Sequence, residues 1–195
     1  MARGLVQPTS TSLVARLLVT HQLREEAADH GDCGNLDNNP STEAGQVQSH
    51  PRALGSALTN EHITTDYSEA LIELVTPPFP HTWELLQYLC DLHKFVYRHL
   101  EDELLWATSM PCAIKGEESI PIAEYGKSNV GTMKTVYRRG LGHRYGRVMQ
   151  AISGVHFNYS FPEHFWPVFA DLCKSHDAGQ DFRSDSYFAL LRNYR

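Results

Sequence analysis

Hydrophobic and polar positions divide the chain near His50. Residues 25–48, EEAADHGDCGNLDNNPSTEAGQVQ, hold Leu36 and Val47 as their only large aliphatic residues. Such a stretch buries too little apolar surface to offset its ordering entropy, so it reads as loop or disorder. From His50 onward the pattern is that of a folded protein. The run Ala70–Thr76 (ALIELVT) is short, apolar and closed by Pro77 and Pro78, which predicts a strand. Side chains alternate along a strand, so Glu69, Leu71, Glu73 and Val75 share a face. Trp83–Trp106 turns helical: Trp83, Leu86, Leu89, Cys90, Phe95, Val96 and Leu100 recur mostly at steps of three and four. Thr82 is the expected N-cap, with Glu84 in the first turn.

Met133–Gln150 predicts a second helical region broken near Gly140 and Gly142. Gly154–Phe161 is the clearest strand. Val155, Phe157, Tyr159 and Phe161 alternate with His156, Asn158 and Ser160, giving one apolar face and one polar face. Tyr187–Tyr194 predicts the start of a further helix. Together these elements predict an α+β fold.

Composition narrows the class. The 195 residues suffice for one domain with a real core, or for a large piece of one. A net charge of −6 speaks against a nucleic-acid partner. No apolar run approaches the ~18 residues of a membrane span. Cys33, Cys90, Cys112 and Cys173 form no Cys-x-x-Cys pair and predict reduced thiols. Arg3 and Arg16, with no acid before Glu25, superficially resemble a transit peptide, but Arg16 interrupts the one apolar stretch there. The expected location is the cytoplasm.

Three groups of residues could carry chemistry. Asp66, Glu69 and Glu73 place three carboxylates within eight residues. They fit either a Mg²⁺–nucleotide site, because hard cations want oxygen ligands, or a solvated sheet face. His156, Asn158 and Ser160 present an imidazole, an amide and a hydroxyl in a row, suited to a ligand, a metal or a wet strand face. Lys134, Arg138, Arg139, His143, Arg144 and Arg147 could cradle a carboxylate or phosphate, or form a solvated helix face.

Taken in order, HPRALGSALT (His50–Thr59), ITTDYSEALIELVTP (Ile63–Pro77), SMPC (Ser109–Cys112), YGKSNVGTMKTVYRRGL (Tyr125–Leu141) and RYGRVMQAISGVHFNYS (Arg144–Ser160) resemble the proteobacterial glutamate–cysteine ligases. The resemblance covers about three quarters of the chain. It implies a glutamine-synthetase-like antiparallel sheet with packing helices, partial here. It implies ATP-dependent ligation of the γ-carboxylate of glutamate to cysteine, the first step of glutathione synthesis, through a γ-glutamyl phosphate. It further implies Mg²⁺ as cofactor and ATP, glutamate and cysteine as small-molecule substrates. Asp66, Glu73 and His156 would be Mg²⁺ ligands, with Glu73 also catalytic. Tyr67, Tyr137, Arg138 and Gln150 would lie around cysteine, and Asn158 would help to hold glutamate.

The chain departs from the family pattern in two places. The family carries a Gly–apolar–Glu–basic–Glu motif upstream of the His-Pro segment, and its two Glu side chains supply further metal ligands. The nearest run here is Leu23-Arg24-Glu25-Glu26, whose adjacent acids would face opposite sides of a strand. Residues 1–49 therefore read as a divergent segment, disordered or read in a shifted frame, ahead of a ligase portion at 50–195. Family members also run on well beyond Arg195. The competing readings are a non-catalytic fragment or binding module of the same fold, and a helical interaction protein using the Trp83–Trp106 face.

Overall fold

The computed structural model describes residues 12–23, 49–100, 103–106, 108–110, 114 and 116–194. Among the described residues five strands form one antiparallel sheet: β1 (Ser12–Leu23), β2 (Ile63–Thr65), β3 (Leu71–Val75), β4 (Glu103–Trp106) and β5 (Val155–Ser160). Strand β1 is central. One edge pairs with β3; the other pairs with β5 along Ser12–Leu17 and with β4 along Thr20–Leu23. Strand β2 closes the sheet beyond β3.

This placement differs from the expectation for residues 1–49. Ser12–Leu23, set aside as divergent, is built into the middle of the sheet. Its apolar and β-branched residues (SLVARLLVTHQL) suit a strand with neighbours on both edges. Residues 24–48 lie outside the described residues.

Helix α1 (Thr82–His99) covers one face of the sheet. Ile63, Ile72, Leu74, Val96, Leu100 and Leu54 form the main core there, with Leu89, Leu92 and Leu105 packed against it. Each such side chain contributes roughly 1.5–3 kcal/mol when fully buried. The helix is shorter than the periodicity predicted. It stops at His99, and Glu103–Trp106 leaves it to pair with β1. Thr82 is its first residue rather than its cap, which is His81. The inward face differs in part: Val96 and Leu100 are buried as the periodicity predicts, and Leu85 is buried too, while Trp83, Leu86 and Phe95 are exposed.

Helix α2 (Asn129–Tyr145) runs through Gly140 and Gly142 without a break. The Ser128 Oγ caps it, accepting from the Gly131 N–H at 3.1 Å. The break comes at Gly146, whose φ of 83° favours glycine, and the short helix α3 (Arg147–Gln150) follows. Helices α4 (Phe165–Leu172) and α5 (Gln180–Asn193) close the described chain, α5 starting earlier than expected. They share an aromatic cluster in which Phe161, Trp166 and Tyr187 make ring contacts. An Arg183–Glu163 ion pair at 2.8 Å ties α5 to the turn ahead of α4. Cys90 and Cys173 carry free thiols, and Cys33 and Cys112 lie outside the described residues.

Candidate functional site

Strand pairing decides which residues share a face. Glu73 pairs with Leu18 of β1, and His156 of β5 pairs with Arg16. Arg16 and Leu18 are two residues apart, so Glu73 and His156 lie on the same face. The same parity adds Asn158, opposite Val14, and Thr64, opposite Glu73. Ile72 and Leu74 point the other way, into the core under α1. The polar residues of β3 and β5 are thus gathered on the face that α1 leaves open. The recess along α1 lined by His93, Lys94, Tyr97 and Arg98 lies away from them. His156 and Asn158 are exposed, and Glu73 is half-buried.

Helix α2 borders this face beside β2 and β3. Its inward residues are Gly131, Lys134, Thr135, Arg138, Leu141 and Gly142. Arg138 Nε donates to the Asp66 carbonyl, Nη2 to the Thr65 carbonyl at 3.5 Å and Nη1 to the Lys134 carbonyl at 3.2 Å. Its guanidinium therefore ties α2 to the end of β2. The Nε–Nη2 edge, a fork that could grip a carboxylate, is spent on backbone oxygens. Lys134 Nζ and the Arg138 guanidinium both lie 4.7 Å from the Tyr125 ring centre. The Tyr125 hydroxyl accepts from Thr65 Oγ1 at 2.9 Å and donates to the Thr65 carbonyl. Burial lowers the Lys134 pKa, and repulsion from Arg138 lowers it further; Glu73 acts in the opposite direction. An ammonium thus already sits within the field of Glu73.

The remaining predicted residues are spread around α2. Asp66 follows β2 and donates its N–H to the Leu71 carbonyl at 2.9 Å. Tyr67 is buried beneath α2 among Ile120, Ala151, Leu141 and Val148. Its hydroxyl has no hydrogen-bond partner among the described residues and lies against Gly142. Burial pushes its pKa up, partly offset by Arg147, with Glu117 adding to the rise. Tyr137 is 64% exposed on the outside of α2, so the two tyrosines do not meet. Gln150 is half-buried at the end of α3. Glu69 accepts from the His50 N–H at 3.0 Å and from the Glu124 N–H, clamping two loops onto the end of the sheet. Sequence reasoning assigned Tyr125 nothing and treated Lys134 only as part of a basic run. The four-residue Lys134–Arg138 spacing was the available signal that both face one way.

The family model for glutamate-cysteine ligase matches residues 40–195. The chain belongs to the glutamate–cysteine ligase family. It is 49% identical over 175 residues to a glutamate–cysteine ligase of Pseudomonas putida (strain W619), covering 90% of this chain and 32% of the relative. It is 55% identical over 147 residues to one from Hahella chejuensis, covering 75% of this chain and 28% of the relative. In structure it resembles a Francisella tularensis glutamate–cysteine ligase crystallised in complex with AMP. That match has a TM-score of 0.72 and 34% identity, over 96% of this chain and 33% of the other. A bifunctional glutathione synthetase from Pasteurella multocida shares the fold, with a TM-score of 0.73 at 23% identity. The chain spans about a third of the length of the ligases it matches. The α+β class and the antiparallel sheet expected from the sequence are borne out. Among the described residues no helix is long and apolar enough to cross a membrane.

Proposed function

We propose that residues 50–195 supply part of the amino-terminal third of a cytoplasmic glutamate–cysteine ligase. The whole catalytic unit would ligate the glutamate γ-carboxylate to the cysteine amine with ATP. The observation that carries this reading is the shared sheet face. Family-type residues from β3 and β5, distant in sequence, stand on one open surface beside α2. In the reaction the γ-carboxylate takes the γ-phosphoryl group and ADP departs. The cysteine amine then attacks the acyl phosphate, losing a proton as phosphate leaves. Asn158 is suited to hold the glutamate by its amide. Tyr137 and Gln150 are the groups on this chain proposed to meet cysteine. Arg138 contributes by fixing α2 against β2, since its fork is occupied. Asp66, Glu73 and His156 are the residues proposed as Mg²⁺ ligands of the whole unit, where Mg²⁺ would neutralise charge on the phosphates. No nucleic-acid or membrane partner is called for.

As an isolated chain we read it as non-catalytic, because β1 brings no carboxylate to this face. The test is ADP release with ATP, Mg²⁺, glutamate and cysteine. The chain alone should release none. Residues 50–195 transplanted into the matching region of the Pseudomonas putida ligase should sustain release that needs both amino acids. Glu73→Ala in that chimera should lower it at least about a hundredfold, the scale of losing a group used in the transition state. A folded but inactive chimera would sink the reading.

A further inference from the structure

We infer that this chain, as it stands, holds no divalent cation on the Glu73–His156 face, and that positions 16 and 18 of β1 are the cause. The inference rests on the family reading for the expectation of a metal. Strand β1 lies between the two candidate ligands, and its residues on that face pair in register: Val14 with Asn158, Arg16 with His156 and with Val75, Leu18 with Glu73, and Thr20 with Leu71. Not one is a carboxylate, and the strand's sequence, SLVARLLVTHQL, contains no Asp or Glu at all.

Distance leaves the middle of the face to β1. Adjacent strands are about 4.8 Å apart and successive same-face residues about 6.6 Å apart. Glu73 and His156 are two strand spacings apart and offset by two residues, so their backbones stand roughly 12 Å from one another. Mg²⁺ wants near-octahedral oxygen ligands at about 2.1 Å. From opposite sides the face offers one carboxylate and one imidazole, so water alone would have to complete the octahedron unless the strand between them supplies an oxygen. Arg16, a cationic residue type, and Leu18 stand at those two register positions. Lys134 adds a further positive charge near Glu73. Asp66 follows β2 directly; its backbone N–H donates to the Leu71 carbonyl and its carbonyl accepts from Arg138. Among the described residues no three His, Cys, Asp or Glu side chains stand close enough to share an ion.

The experiment is a titration of the full chain with Mn²⁺ alone, followed by electron paramagnetic resonance. Mn²⁺ takes the same oxygen-rich sites as Mg²⁺. Wild type should show no saturable binding that depends on Glu73 below about 1 mM, and binding that survives Glu73→Ala lies elsewhere and agrees with the inference. Arg16→Glu combined with Leu18→Glu should create about one equivalent of binding, lost again on adding Glu73→Ala. One equivalent bound by wild type and abolished by Glu73→Ala would overturn the inference. So would a double variant, folded by circular dichroism, that binds no more than wild type. If the double variant does not fold, the wild-type titration decides alone. Failure here leaves the proposed ligase function intact, whereas a folded but dead chimera, with no Mn²⁺ binding by this chain, would sink that proposal and leave this inference standing.

Discussion

Gly142 and Tyr67 meet in the small core between α2 and the loop after β2. A Cβ at position 142 would collide with the Tyr67 hydroxyl. That hydroxyl is itself buried and unpaired among the described residues. Two opposed effects follow. Removing an unsatisfied buried hydroxyl relieves a desolvation cost of about 1–3 kcal/mol. Adding a methyl group to a filled contact costs about 1–3 kcal/mol. Tyr67→Phe should therefore be neutral or stabilising, Gly142→Ala destabilising, and the pair closer to wild type than Gly142→Ala alone. Urea melts of the four proteins form a double-mutant cycle with a coupling well above ~0.5 kcal/mol. Additive effects would mean that the two residues do not touch. No sequence pattern announces this contact. Tyr67 reads as a polar residue next to a carboxylate, and only tertiary packing shows that its ring belongs to a core.

At the scale of elements, α1 carries a pH signature. Burial lowers the pKa of His93 below its ordinary 6.5, so the folded helix favours the neutral ring. The unfolded chain takes the proton first as pH falls through 6.5. Stability is thus fully present above that value and is lost progressively until pH drops below the folded pKa. His93→Leu should flatten this dependence: the fall in melting temperature between pH 8 and pH 5 should be smaller than in wild type. An equal fall in both proteins would refute the assignment. Helix α1 also shows what was legible in the sequence. Strands β3 and β5 are legible almost to the residue: Pro77 and Pro78 close the short run of β3 too soon for a helix, and strict alternation marks β5. The end of α1 was not. Leu104, Leu105 and Trp106 continue an apolar run, and a short apolar run does not say whether it is helix or strand. Pairing with β1 decides it. The face-sharing of Glu73 and His156 was equally hidden, since it passes through a strand that composition had set aside.

At the scale of the whole molecule, much apolar surface is bare. Val155, Phe157 and Tyr159 on β5 are 61%, 54% and 46% exposed. Phe188, Leu190 and Leu191 of α5, and Tyr194 just after it, are at least half exposed as well. Contiguous patches of this kind mark interaction surfaces or aggregation liabilities. Phe157→Ser should raise the concentration at which the chain stays monomeric while shifting the melting temperature little, as scattering and calorimetry would report. A large loss of stability would mean that this face is packed after all.

Strand β1 joins three pieces that do not otherwise pair with one another: the β2–β3 pair, β4 and β5. Its partner β5 follows about 140 residues later along the chain. During synthesis at about 5–20 residues per second, β1 is therefore made about 7–28 seconds before the strand that covers half of one edge. Long-range pairing of this kind also slows folding, because the loop entropy is lost before the contacts form. For that interval the exposed edge of β1 is open to any other extended chain.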